Sequence, residues 1–398
     1  MLSKLNPRFC AWALIVLTAL LLFFRFPAGP APQSIPGDFA VYHRAAERAS
    51  HGQDPYVVTD PSPYKYSPGV LALVEALPKD PARAWFWYGT FCIALFALSL
   101  AVSGSYSSWK SVFWLAAGLA LSWKGLLETF DYGQLEVLLL ALGLLAAALL
   151  SRGAFISGVI AGFMPWLKLP WLLLLLPFMT AATLRTERRG RLFFSGYLLS
   201  CFTWGAAVPS LLFGADRAKV LSQSWLHILR AQPLSLYSSD MNQSIWISAT
   251  RWFGNDVHLS FGLVGILLGL ILGLMMSRAL DPGVFRRTPA LAWISPWMVL
   301  TQLLSPLSWR WGSVFVVGMP MAAGWNPFRR TGLEEAIITD SERVQRNLRF
   351  SIFTIIGMLW LLQMNPVARS LGFGHWTEFH SVGLITAFWL SLLVMALI

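Results

Sequence analysis

Charged residues are scarce in this 398-residue chain. Only 12% of the residues are Asp, Glu, Lys or Arg, and 56% are hydrophobic. A soluble domain usually has about a quarter charged residues. The deficit excludes an ordinary soluble protein and predicts that most of the surface faces lipid. Apolar runs such as residues 135–150 support this, and so do the 20 Trp and 27 Phe, many of which end apolar runs as is typical of the lipid headgroup region.

Cysteine is scarce as well, and no compact cluster of metal-ligating side chains is present in the sequence. The three cysteines lie in apolar segments without metal-type spacing, which excludes a disulfide framework and a zinc site: Cys10, Cys92 and Cys201. No metal cofactor is therefore expected. The net charge of +11 comes from basic residues dispersed between apolar segments, so it predicts membrane topology rather than nucleic-acid binding.

The apolar runs predict an all-α polytopic membrane protein, a single integral membrane domain over residues 1–398. The N-terminal segment lacks a clean cleavage pattern, so we expect a retained helix rather than a signal peptide. About twelve membrane helices are expected, near residues 9–28, 83–103, 110–127, 133–151, 154–167, 170–182, 192–213, 258–277, 289–306, 310–324, 349–365 and 380–397. The basic loops between them fall on one side, which predicts cytoplasmic termini.

Two long loops are expected on the extracytoplasmic side, and they are residues 29–82 and 214–257. The 325–348 loop is expected in the cytoplasm. Short helices are predicted in the outer loops at 37–51, at 67–77 (interfacial) and at 217–230. In the first of these helices Asp38 is the predicted N-cap, and one apolar face is predicted from Phe39, Tyr42, Ala45, Ala46 and Ala49.

The predicted fifth and sixth membrane helices are too short to cross comfortably. Pro165 and Pro170 interrupt them on either side of Lys168. A broken helix at membrane depth is tolerated where protein or a water-filled cavity satisfies its backbone, which favours a site. A kinked core helix is the alternative.

The first long loop has the richest chemistry in the chain. Asp38 and Tyr42 are followed by rigid turns at 52–56 and by the Tyr64-Lys65-Tyr66 segment. A carboxylate can deprotonate an attacking hydroxyl, and aromatic faces can stack on a sugar. A sugar-handling site is one interpretation, and an ordinary capped helix followed by turns is the other.

Five segments in this order resemble those of the glycosyltransferase C superfamily, most closely glycosyltransferase family 87. Together they cover roughly residues 35–325, and they are the first loop around Asp38, Gly133-Gln134, Leu167-Lys168-Leu169-Pro170, Asn242-Gln243-Ser244 with Arg251, and Ser305-Pro306-Leu307-Ser308-Trp309. The family often has His after the last segment, where this chain has Arg310 and Trp311. The planar guanidinium of Arg310 is suited to binding a phosphate.

The resemblance implies a membrane glycosyltransferase with a glycosyltransferase C-type helix bundle in the inner cell membrane. Such an enzyme moves a sugar from a polyprenyl-phosphate donor to a glycolipid, glycan or protein at the extracytoplasmic face. The resemblance favours mannose as that sugar, and a pentose is the alternative. The implied reaction is an inverting displacement with Asp38 as the general base. A polyprenyl phosphate is already a good leaving group, so the chemistry requires no metal.

The resemblance also implies roles for further residues. The implied donor-phosphate ligands are Lys168, Arg310, Arg251 and Lys65. The implied substrate-binding residues are Asp131, Gln134, Tyr42, Tyr66, Asn242, Gln243 and Trp309. Structural roles remain open as alternatives: an ion pair or snorkelling for Lys168, a turn for Asp131, and packing for the others. Glu136 lies just inside the following helix, where a carboxylate is costly unless it faces a wet cavity.

Two other function classes remain open. A transporter or flippase of lipid-linked sugars would explain twelve helices and Lys168 at membrane depth, and it predicts a repeat symmetry that the sequence does not show. A noncatalytic scaffold would use the outer loop only to bind partners. The size of that loop favours the enzyme.

Overall fold

The computed structural model describes residues 6–26, 35–60, 62–104, 106–231 and 290–305, together with the single positions 242, 244, 245, 247 and 248. Four candidate site residues lie outside the described residues: Gln243, Arg251, Trp309 and Arg310. The predicted helices at 258–277, 310–324, 349–365 and 380–397 and the predicted loop at 325–348 also lie outside them.

The regular elements of the described residues are helices. In chain order they are α1 (Pro7–Arg25), α2 (Gly37–Ser50), α3 (Pro68–Glu75), α4 (Pro81–Ser103), α5 (Trp109–Tyr132), α6 (Glu136–Leu149), α7 (Ala154–Leu167), a 3₁₀ segment (Leu169–Leu174), α8 (Leu175–Thr183), α9 (Glu187–Phe202), a π-helical turn (Thr203–Ala207), α10 (Val208–Phe213), α11 (Ala215–Arg230) and α12 (Ala290–Leu304).

Three helices are long and apolar enough to cross a membrane, among the residues that the structure describes. They are Pro7–Arg25, Pro81–Ser103 and the continuous stretch Glu187–Phe213. Helices α6 and α7 have 14 residues each, which is about 21 Å of helix and less than the roughly 30 Å hydrocarbon core. The expected membrane character is supported, and the count of about twelve spans stays a prediction.

Helix α2 spans Gly37–Ser50, so it begins where the sequence predicted and ends one residue before the end of the predicted range 37–51. The N-cap position is Pro36, whose carbonyl accepts the Ala40 amide at 2.9 Å, and no side chain caps the helix. The prediction that Asp38 is the N-cap is therefore wrong, because Pro36 already holds an extended conformation and Asp38 lies inside the first turn. The predicted apolar face is confirmed, since Phe39, Tyr42, Ala45, Ala46 and Ala49 are buried.

Helices α7 and α9 of the first unit pack closely against each other. A Cβ at Gly158 or Gly162 would collide with the backbone of α9, and a Cβ at Gly196 would collide with the backbone of α7. Gly158 and Gly162 are four residues apart and lie on one helix face, a spacing that lets membrane helices approach closely. This contact fixes the end of α7, and therefore the position of Lys168.

The chain divides into two compact units. The first contains the described residues up to 112 and from 123 to 231, and the second contains residues 113–122 and the described positions from 242 onward. The candidate site around Asp38 lies entirely in the first unit.

Candidate active site in the first unit

Aromatic packing fixes the helix that carries Asp38. Phe39, the next residue, is fully buried, and its ring lies 5.2 Å from the ring of Trp85 and 5.3 Å from the ring of Tyr88, measured between centroids. Both partners belong to α4, one of the three long apolar helices. Asp38 is therefore anchored at the end of a helix capable of spanning the membrane.

Gly133 lets the end of α5 approach the start of α2. Its φ of 70° is in the left-handed region, which favours glycine, and a Cβ there would collide with Pro36 and Phe39. The adjacent residue, Gln134, is buried, and its carbonyl accepts the Tyr88 hydroxyl at 3.1 Å. The Gly133-Gln134 pair that the sequence predicted in the site thus packs against the residues on either side of Asp38. The contact of Gln134 with Tyr88 is made by its backbone carbonyl.

Two tyrosines connect α2 to the loop before α3. The hydroxyls of Tyr42 and Tyr66 are 2.9 Å apart, and the Tyr56 hydroxyl donates to the Tyr66 carbonyl at 2.9 Å. Desolvation by burial raises the pKa of Tyr42 and of Tyr66 well above the ordinary value, and the charge of Asp38 raises both further. The predicted site residues Tyr42 and Tyr66 are therefore neutral neighbours of Asp38.

The carboxylate of Asp38 lies in a recess of the protein. The residue is partly exposed, yet desolvation is the main reason that its pKa rises from 3.8 to about 6. The charge of Glu136 raises this pKa further, whereas Lys65 and Lys168 lower it. No hydrogen bond or ion pair from the described residues occupies the Asp38 carboxylate, which leaves it available to a ligand.

Lys168 lies where the predicted broken helix is indeed broken. Helix α7 ends at Leu167, Lys168 has an extended backbone, and the 3₁₀ segment starts at the following residue. The Lys168 ammonium lies 2.9 Å from Oε1 of Glu136, a residue that is only 2% exposed. The ion pair that the sequence left open as an alternative for Lys168 therefore exists, and it uses one of the hydrogen-bond donors of the ammonium.

Lys65 is a second cation near Asp38. Burial lowers the pKa of its ammonium below the ordinary value of 10.5, with the nearby charge of Lys168 in the same direction and Asp38 opposing. No described residue forms a hydrogen bond or ion pair with this ammonium. Its backbone is held in place, because the Trp225 indole donates to the Lys65 carbonyl at 2.9 Å.

Helix α11 is hydrogen-bonded to the end of α2 and to the loop between α2 and α3. Besides the Trp225 contact, Arg217 Nη2 donates to the Ala49 carbonyl at 2.8 Å, and the Ser224 hydroxyl donates to Asp54 Oδ2 at 3.1 Å. The predicted helix at 217–230 is thus present, and it positions the segment containing Lys65.

Asp131 and Asn242 were predicted to bind substrate, and the structure describes the surroundings of each. Burial raises the pKa of Asp131 and the charge of Arg25, at the end of α1, lowers it. Asn242 is buried in the second unit, where its side-chain carbonyl accepts the Ser244 amide at 3.0 Å. Their roles in binding stay predictions.

Sequence reasoning missed one residue of the second unit. Gln302 in α12 is 2% exposed, and both polar atoms of its amide lack a partner among the described residues. Burying a glutamine inside an apolar helix costs free energy, and this is the sequence feature that could have indicated Gln302 as a candidate. Across the part of the chain that the structure describes, no group of three His, Cys, Asp or Glu residues is arranged to hold a metal.

Comparison with protein-family models shows a match over more than half of the chain. The model described as glycosyltransferase family 87 matches residues 64–306, which include Lys65, Glu136 and Lys168, whereas Asp38 precedes the matched range. Neither the curated proteins nor the solved structures that were compared contain a match to this chain. The matched range is more than half of the chain, and the chain therefore belongs to glycosyltransferase family 87.

Proposed function

We propose that this glycosyltransferase is a multi-pass protein of the inner cell membrane that uses a polyprenyl-phosphate sugar as donor. It transfers the sugar to a glycolipid, glycan or protein acceptor at the extracytoplasmic face. Mannose is the favoured sugar, and a pentose is the alternative. The observation that carries the proposal is the carboxylate of Asp38, with a pKa of about 6, near the ammonium of Lys65. Neither group has a hydrogen-bond or ion-pair partner among the residues that the structure describes. A carboxylate that can act as a base thus lies near a cation that can bind a phosphate.

Asp38 is the general base of the proposed reaction. The acceptor hydroxyl attacks the anomeric carbon from the side opposite the phosphate, and its proton passes to the Asp38 carboxylate. The bond between the anomeric carbon and the phosphate oxygen breaks, the polyprenyl phosphate keeps the electron pair, and the configuration inverts. A pKa of about 6 makes Asp38 a stronger base than an ordinary Asp, while most of it is still ionised at pH 7.

Lys65 replaces Lys168 as the principal phosphate ligand in this proposal. Its ammonium is partly desolvated and without a partner in the described residues, so a phosphate would restore favourable electrostatics. The Lys168 ammonium has three N–H donors, and only one is needed for Glu136, so it can contribute to the same phosphate. Arg251 and Arg310 remain proposed ligands outside the described residues.

The remaining proposed substrate ligands are Asp131, Gln134, Tyr42, Tyr66, Asn242, Gln243 and Trp309. Tyr42 is almost fully buried, so its proposed part is to hold Tyr66, which is partly exposed and can present its ring to a sugar. Aromatic faces pack well against the C–H surfaces of sugars.

The test is transfer of a labelled sugar from synthetic polyprenyl-phosphate mannose by the purified protein in lipid, with an Asp38→Asn variant. Glu47→Gln is the matched control, because Glu47 is an exposed carboxylate of the same helix. We expect the Asn variant to lose at least 100-fold in rate, the lower range for general base catalysis, and the control to keep its rate. Full activity of Asp38→Asn would refute the assignment.

A flippase of lipid-linked sugars is the second candidate, and the Glu136–Lys168 pair at a helix break favours it, because transporters use broken helices in this way. Liposomes separate the two functions. Movement of the lipid-linked sugar between leaflets without transfer would support the flippase, and transfer without movement would support the enzyme.

A further inference from the structure

We propose that Glu136 binds a hydroxyl group of the donor sugar and thereby determines which sugar is accepted. This inference rests on the proposed glycosyltransferase function, since it assigns a ligand to the same site. It concerns the second oxygen of Glu136, which the pair with Lys168 does not use.

The two carboxylate oxygens of Glu136 differ in their surroundings. Oε1 accepts from the Lys168 ammonium at 2.9 Å, whereas Oε2 is buried without a hydrogen-bond partner among the described residues. The residue is only 2% exposed. Buried polar atoms are nearly always paired in native proteins, and an unpaired carboxylate oxygen is especially costly. Its persistence at this place is explained if a ligand supplies the missing donor.

Glu136 belongs to the site of Asp38. Its charge acts on both Asp38 and Tyr66, and its ion-pair partner Lys168 acts on Asp38 and Lys65. It also begins α6 directly after the Gly133-Gln134 pair that packs against the start of α2. The free oxygen therefore lies in the same cluster as the proposed base and the proposed phosphate ligand.

The charge of Glu136 identifies the chemical class of the ligand. A carboxylate repels the phosphate of the donor, and its need for a cation is already met by Lys168. A neutral O–H donor satisfies Oε2 without either conflict. The donor sugar is attached directly to the phosphate, so its ring hydroxyls are the O–H groups delivered next to Lys65 and Lys168.

The experiment compares donor analogues in which one ring hydroxyl at a time is replaced by hydrogen. We expect the unmodified protein to bind one of the deoxy analogues about 10- to 150-fold more weakly than the parent donor. This factor corresponds to the loss of one hydrogen bond to a charged group. In Glu136→Gln the amide must turn its carbonyl to Lys168 and its N–H₂ to the ligand, so the recognised hydroxyl can only accept a hydrogen bond there. The preference for the hydroxyl over hydrogen should therefore decrease, and its preference over fluorine, which cannot donate, should fall to nearly one.

Fluoro analogues supply a second measurement that needs no variant. Fluorine cannot donate a hydrogen bond, so the analogue with fluorine at the recognised position should bind as weakly as the deoxy analogue. If each fluoro analogue instead binds as well as the parent donor, no hydroxyl donates to a carboxylate and the inference is overturned.

The outcomes separate this inference from the function on which it rests. Unchanged discrimination in Glu136→Gln, together with normal transfer, would overturn the role of Glu136 and leave the glycosyltransferase proposal intact. Absence of transfer by the unmodified protein from any polyprenyl-phosphate sugar would overturn both.

Discussion

Replacing Asp38 by Asn should stabilise the protein while it removes transfer. The pKa of Asp38 rises from 3.8 to about 6 in the folded protein, a shift of about two pKa units. Each unit corresponds to about 1.4 kcal/mol, so ionisation of Asp38 at pH 7 costs the folded state up to about 3 kcal/mol. Partial exposure of the side chain makes this an upper limit. Asn resembles the protonated side chain and avoids the cost.

The pH dependence follows from the direction of the shift. Below about pH 4 Asp38 is protonated in both the folded and the unfolded protein, and the cost is absent. The cost grows as the pH rises from about 4 to about 6 and is complete above this window. The gain in stability of Asp38→Asn should therefore be present at pH 7 and disappear near pH 4.

Thermal unfolding in detergent at both pH values measures this difference, with Glu47→Gln as the control for loss of one exposed carboxylate in the same helix. We expect an increase in Tm of several degrees at pH 7 for the Asn variant and little change for the control. A Tm at pH 7 that is equal to or below that of the unmodified protein would refute the placement of Asp38 in a desolvated recess.

Further predictions concern the charges and the backbone around Asp38. The kcat/KM for transfer should fall about tenfold per pH unit below pH 6, because Asp38 then becomes protonated; a flat profile between pH 4 and 7 would exclude it as the base. Lys65→Met should raise the donor Kd about tenfold or more in a binding assay with little change in Tm, since a charge-assisted bond to phosphate is lost. Lys168→Met should lower the free energy of unfolding by about 3–5 kcal/mol, because it leaves Glu136 buried and unpaired, and combining it with Glu136→Leu should restore much of the loss in chemical denaturation. Gly133→Ala should cost about 1–3 kcal/mol in the same assay and reduce transfer, because its φ and its contact with α2 both disfavour a Cβ; an unchanged rate would argue against this contact.

Local sequence patterns predicted much of the described fold. The bounds 154–167 are those of α7, and the predicted helix at 37–51 is α2 within one residue. Long apolar runs and proline positions act locally, so they can be recognised in the sequence. The predicted cap at Asp38 was wrong for an equally local reason, since Pro36 starts the helix earlier. The π-helical turn at Thr203–Ala207 was not predicted, because it has no comparable local pattern.

The sequence predicted which charged residues belong to the candidate site, but it did not predict which of them form an ion pair. Asp38, Lys65 and Lys168 were recognised as its charged members, and the structure places them within electrostatic reach of each other. The pair between Lys168 and Glu136 joins residues 32 positions apart, one just after the end of α7 and the other at the start of α6. Such pairing depends on how α6 and α7 pack, so the sequence favoured phosphate binding for Lys168 and left an ion pair open as an alternative.

The hydrogen bonds from α11 to the segment between α2 and α3 have a consequence for the order in which the enzyme folds. The Arg217, Ser224 and Trp225 contacts reach back to residues 160 to 170 positions earlier in the chain. During translation Lys65 is thus synthesised long before the helix that holds its backbone in place. The backbone of Lys65 therefore gains its contact with Trp225 only after α11 has been synthesised, so this part of the site folds late.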